Sequence, residues 1–233
     1  MLAYLRTTQT YKWARDQAGY FIDPAWVNHE DAVFANYYFS AYDSWAGGDR
    51  SHVPAAWLTA LDSARDHTVT SSGDLLLGMN AHINRDLPLV LAAIGTTAPD
   101  GTSHRPDHDK VDEFLRAVLP PLIAELAARL DSDIVTIRTP FGVGPNGLFQ
   151  QLLAWRKTAW QNAVLLTNAP TPQARANLLQ EIERTAANQA QSIVAANRYV
   201  VPGTSSAPRE AYCALHNTAP PPAAYPFGTA TAY

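Results

Sequence analysis

The run from Asp74 to Ile94 is dominated by Leu, Ile, Val, Ala and Met, and its spacing predicts a helix buried on most of its circumference. Counted at about 100° per residue, Asp74, Ala81, Arg85 and Ala92 form the stripe expected to face solvent, and Leu76, Ile83, Leu87 and Val90 point into the core. Leu75, Met79, His82, Asp86 and Ala93 line one flank of the buried face, with Asn80 and Asn84 near the other. The segment Met79 to Pro88, M-N-A-H-I-N-R-D-L-P, thus sets a His, an Asp and two Asn at the border of an apolar core. His82 and Asp86 are four residues apart and share a helix face. Pro88 has no N–H to give to the Asn84 carbonyl, so a bend is expected beside these polar groups.

The same pattern reading predicts helices along most of the chain. Asp23-Pro24 reads as a cap followed by a first helical residue, opening a helix that Gly47-Gly48 stops after about Trp45. Pro54 opens a shorter helix to about Asp66. Asp107 begins one to about Leu130, expected to be bent or broken at Pro120-Pro121. Asp133 to Arg138 has strand character but nothing to pair with, and Thr139 to Gly147 reads as a loop. Leu148 to Leu166 and Gln173 to about Arg198, the latter after Thr171-Pro172, complete the set. From Val201 on, Pro202, Pro208, Pro220, Pro221, Pro222 and Pro226 argue against any helix, whereas Tyr212, Leu215, Tyr225 and Phe227 favour partial docking of the tail. The expectation is an all-α, single-domain bundle of about six to eight helices over residues 1–200, with an irregular Pro/Ala-rich C-terminal extension over residues 201–233.

Three other polar groups fall on apolar faces. Glu30 lies inside the arc formed by Trp26, Val27, Val33, Phe34, Tyr37, Tyr38, Ala41 and Trp45, and Asp31 lies at its edge. Arg156 sits among Phe149, Leu152, Leu153, Ala159, Trp160 and Ala163, and a guanidinium so placed needs a carboxylate. Arg156 is therefore the expected counterion of Glu30, Asp31 or Asp86. His108, with Asp112 four residues on, adds to His82 and Asp86 a set of ligand types that a divalent metal such as zinc accepts, although no cofactor is required by the sequence. The aromatic stripe of Tyr37, Tyr38, Trp45, Trp155 and Trp160 is suited to shaping an apolar pocket.

Composition narrows the classes. The 233 residues are 47% hydrophobic and only 16% charged, which argues for a well-filled core. A net charge of −4 without a basic cluster disfavours nucleic acid and anionic membrane as partners. Cys213 stands alone, so neither an internal disulfide nor a Cys-based zinc cluster can form. No signal-peptide pattern and no membrane-length apolar run is read, and the expected setting is cytoplasmic. Glycine-rich nucleotide loops and a G-x-S-x-G elbow are also absent.

The stretches Asp23 to Trp26, Asp31 to Ala35, Asn80 to Asn84 with Asp86 to Pro88, Arg105 to Asp109, and Arg156 to Trp160 together resemble a mainly actinobacterial family, the domain of unknown function 5995 family. The resemblance spans roughly residues 1–200 and leaves out the Pro-rich tail. It implies an all-helical bacterial protein in which Asp31, His82, Asn84, Asp86 and Arg156 belong to a shared pattern, and it carries no activity with it. Asp112 stands where the family pattern has Asn.

These residues point first to an enzyme acting on a small, largely apolar molecule by proton transfer, as in cyclisation, isomerisation or elimination, in bacterial secondary metabolism. His82 would be the general acid or base, held by Asp86. Asn80 and Asn84 would orient a carbonyl or hydroxyl, Asp31 or Glu30 with Arg156 would support them, and Tyr38 and Trp160 would line the substrate pocket. Two other expectations stand beside it: a zinc-dependent phosphoester hydrolase using His82 and Asp86, and a non-catalytic ligand-binding or scaffold protein whose polar cluster only specifies packing.

Overall fold

Three of the helices open on side-chain caps. In the computed structural model, which describes residues 2–200, 202–223 and 225, α1 covers Leu2–Asp16, α2 Pro24–Ala46, α3 Ala55–Arg65, α4 Ser71–Asn80 and α5 Leu87–Ile94. Farther along, α6 covers Arg105–Arg129, α7 Gly144–Thr167, α8 Pro172–Asn197 and α9 Ala207–His216. A π-helical turn, Ala81–Asp86, joins α4 to α5 without a break, so the described residues form eight helical rods. Among the described residues the fold is all-α apart from a two-stranded hairpin, β1 (Arg138–Thr139) against β2 (Gly142–Val143). No helix among the described residues is long and apolar enough to cross a membrane.

Asp23 accepts from the Trp26 N–H at 3.0 Å, and the Thr171 hydroxyl accepts from the Ala174 N–H at 3.1 Å, as expected of N-caps. The start of α4 is capped in the same way, by the Thr70 hydroxyl accepting from the Gly73 N–H.

Several expectations are corrected. The double proline does not break α6, which runs continuously through Pro120 and Pro121. The carbonyls deprived of a partner belong to Arg116 and Ala117, both exposed to water, while Val118, Leu119, Leu122 and Ile123 hold the inner face in the core. Residues Ser132–Thr136 form a 3₁₀ turn in place of a strand, the following hairpin occupies part of the expected loop, and α7 begins four residues early, at Gly144. The tail does contain a helix, α9, because Pro208 falls in its first turn, where a missing N–H costs nothing. Val201, Pro226 and Phe227 lie outside the described residues.

The described residues divide into two compact units. One is drawn from Met1–Val27, His104–Leu153 and Ser205–Tyr233. In it α1 and α9 pack on α6, whose Phe114, Leu115, Val118, Leu122 and Leu126 are buried. Asp107 ties its segments together by accepting from the Ile22 and Asp23 N–H groups, both at 2.7 Å, and His104 stacks on Trp26.

The other unit is drawn from Asn28–Ser103 and Ala154–Thr204. Here α8 lies along α3, α4 and the π-helical turn. The buried stripe of α8 is Ile182, Ala186, Ala190 and Ile193, whose small members let backbones come close. The approach is tight at Gly73, where an added Cβ would lie 2.7 Å from the Asn197 Cβ and 2.9 Å from the Val69 Cβ. The Thr70 N–H donates to the Asn197 carbonyl at 3.0 Å beside it.

Candidate functional site

Inside the second unit, the π-helical turn organises the polar residues around which the sequence reading was built. Its bond from the Leu87 N–H to the His82 carbonyl spans five residues, one more than in an α-helix. The longer step accommodates the proline that follows and rotates the flanking residues off the 100° count. As a correction, Ala81, expected in solvent, is fully buried, Arg85 is half-buried, and Ala93, expected on the buried flank, is exposed. Leu76, Ile83, Leu87 and Val90 are buried as expected.

Asp86 is 0% exposed, accepts from two donors and has a histidine nitrogen beside it. The Trp57 Nε1–H donates to Oδ2 at 2.7 Å, the Arg85 guanidinium donates to Oδ1 at 2.9 Å, and His82 Nδ1 lies 3.2 Å from Oδ2. Arg85 also donates to Glu183 on α8 at 2.6 Å, so one guanidinium bridges two carboxylates. Burial weighs most heavily against the Arg85 charge, but the Asp86 and Glu183 carboxylates together outweigh it and hold the guanidinium above its ordinary value. The cation on Asp86 is thus Arg85; from the sequence, Arg156 is expected to pair with any one of Glu30, Asp31 and Asp86. Arg156 is buried in α7, Glu30 is buried in α2 and Asp31 is half-buried there.

The imidazole of His82 sits among aromatic rings. Phe34 stacks on it with centroids 3.5 Å apart and planes 5° from parallel. Trp57 is tilted against it at 5.8 Å, and Tyr38 meets it edge-on at 6.4 Å. Burial, followed by the neighbouring Tyr42, pushes the Tyr38 phenol up from its ordinary value. The His82 side chain keeps 12% exposure, but its Nε2 atom is itself buried. Trp160, the other aromatic expected at the pocket, is buried in α7.

On the second flank, Asn84 Nδ2 donates to Asn80 Oδ1 at 2.9 Å, and Asn80 Nδ2 donates to the Ala186 carbonyl at 2.9 Å. Asn80 is 0% exposed, so its amide is a tie between α4 and α8. His108, named with His82 and Asp86 as a metal candidate, belongs to the first unit, where it is buried in α6. Among the described residues no group of three or more His, Cys, Asp or Glu is arranged to hold a metal.

Sequence reasoning missed Trp57, Phe34, Arg85 and Glu183. Trp57 carried one usable signal: a Trp on the inner face of a helix must find an acceptor for its N–H.

The family of unknown function DUF5995 matches residues 1–196. The chain belongs to that family. Every residue of the His82–Asp86 cluster lies within the stretch matched to DUF5995, whereas α9 and Tyr225 lie beyond it. Neither a curated protein nor a solved structure matches this DUF5995 chain.

Chemically, a His ring nitrogen that donates to a carboxylate leaves the other ring nitrogen as the acceptor. By that assignment His82 donates from Nδ1 and offers Nε2 as base. Asp86 and the π face of Phe34 lie against the ring that takes up the proton.

Proposed function

We propose that the His82–Asp86 pair is a general acid–base site acting on a small, largely apolar organic molecule. The observation that carries this reading is the placement of His82 Nδ1 against a fully buried carboxylate by a π-helical turn, a distortion that recurs at functional sites. Nε2 takes a proton from a carbon or hydroxyl of the substrate and gives it to a neighbouring atom in isomerisation or cyclisation, or to the departing group in elimination, all without redox change. Phe34, Tyr38 and Trp57 supply apolar surface around the ring, which strengthens electrostatic interactions by limiting water. Arg85, tied to Glu183, holds the Asp86 carboxylate in place.

The test uses 5-nitrobenzisoxazole, an apolar aromatic whose ring opens when a base removes one C–H proton. The wild-type protein should accelerate its opening, and His82→Gln, which keeps the volume and loses the base, should lose that acceleration by a factor of about 100 or more. Equal rates for the two proteins overturn the proposal.

A second reading is favoured by the Trp57 and Arg85 donors that converge on Asp86 and by the Arg85 bond to Glu183: the cluster fixes the packing of α3, the π-helical turn and α8 and performs no reaction. On that reading His82→Gln lowers stability and changes no rate.

A further inference from the structure

A different buried cluster, in the first unit, concerns the C-terminal tail. Glu125 on α6 is 0% exposed and accepts four hydrogen bonds. Arg6 of α1 donates twice, from Nε at 2.8 Å and from the guanidinium end at 2.7 Å; Arg129 donates at 2.8 Å; and the Tyr225 hydroxyl donates at 2.5 Å. The Arg6 guanidinium also lies over the Tyr225 ring, 5.1 Å from its centroid. Tyr225 is itself 4% exposed. Arg129 donates as well to the Asn217 carbonyl at the end of α9, at 2.7 and 2.9 Å, so the same side chain grips both Glu125 and the tail.

We propose that Arg6, Glu125 and Arg129 form a receptor for a phenolic group, filled in cis by Tyr225. Two features of the site select this chemistry together. A carboxylate oxygen reads the hydroxyl, and a guanidinium over the ring reads the π face. A phenylalanine ring lacks the first contact, and a serine or threonine hydroxyl lacks the second. The receptor residues lie within the stretch matched to the family, whereas Tyr225 lies beyond it. Glu125 keeps Arg6 and Arg129 as partners when the phenol is removed, so its charge stays compensated and the site persists. The tail is therefore held by a ligand that can be exchanged: a free phenol competes with Tyr225 for the same two contacts.

The experiment uses the full chain carrying Tyr225→Ala, titrated with p-cresol, the side chain of tyrosine in free form, and in parallel with toluene, which lacks the hydroxyl. Titration calorimetry should show saturable p-cresol binding to the variant at one site and none to the wild type over the same range, with toluene bound about tenfold or more weakly. Absence of saturable p-cresol binding to Tyr225→Ala, equal binding to the wild type, or equal affinity for toluene overturns the proposal. Tyr225→Phe keeps the ring and removes only the hydroxyl, and gives an independent reading if the alanine variant fails to fold. Proteinase K should release the segment following α9 several-fold faster from it than from the wild type, and an unchanged rate overturns the proposal.

Discussion

Asp86→Ala removes the acceptor on which the second unit's polar cluster converges, and its cost follows from what each partner keeps. Trp57 is 5% exposed, so its indole N–H is left buried without an acceptor, at about 1–3 kcal/mol. Arg85 retains Glu183, whose side chain is 36% exposed, so no orphaned charge is created and the larger penalty of a broken buried pair is avoided. His82 loses one hydrogen bond from a mostly buried position, about 0.5–1.5 kcal/mol. The expected loss is about 2–4 kcal/mol, or roughly 5–15 °C in Tm for a chain of this size. A double-mutant cycle with Trp57→Phe isolates the indole term: the two changes should couple by about 1 kcal/mol or more, since each removes the same bond. Urea unfolding followed by circular dichroism measures all four proteins. A loss below about 1 kcal/mol for Asp86→Ala, or additive effects in the cycle, refutes the convergence on Asp86 as the joint of this cluster.

Gly73→Ala sets a methyl against the Asn197 and Val69 side chains and should cost about 1–3 kcal/mol, read by urea unfolding. Asn80→Ala leaves the Ala186 carbonyl and the Asn84 amide without their partner and should cost about 1–3 kcal/mol in the same assay. Arg6, the Tyr225 hydroxyl and Arg129 outweigh the largest influence on Glu125, its burial, and pull its carboxyl from an ordinary value of 4.5 down to about 2. The stability this provides is present above pH 4.5 and is lost as pH falls towards 2, by about 3 kcal/mol. Thermal unfolding across that window should show the loss, and Glu125→Gln should flatten it.

The parts of the fold that were legible are those where apolar spacing and capping agree. Asp23-Pro24, Gly47-Gly48 and Thr171-Pro172 mark real helix ends because each solves a local backbone problem that tertiary contacts do not alter. Helix α1 left no such trace, since its buried face carries Arg6, Gln9 and Thr10 and its polarity is compensated by a residue 119 positions away. At the site, the pairing of His82 with Asp86 was readable from helical spacing alone. Phe34, Trp57 and Glu183 arrive from three other helices, and no pattern within one segment announces them. Arg85 was misplaced for a different reason: the count at a constant angle per residue fails where the backbone takes a π-helical turn.

The role of His82 as a base turns on which of its ring nitrogens carries the proton. With the imidazole ¹⁵N-labelled, NMR at about pH 9, above the ordinary histidine range, should report a protonated Nδ1 and an unprotonated Nε2 for His82, and Asp86→Asn should shift the Nδ1 resonance. A His82 ring protonated at Nε2 with Nδ1 bare would contradict the dyad and, with it, the assignment of the base.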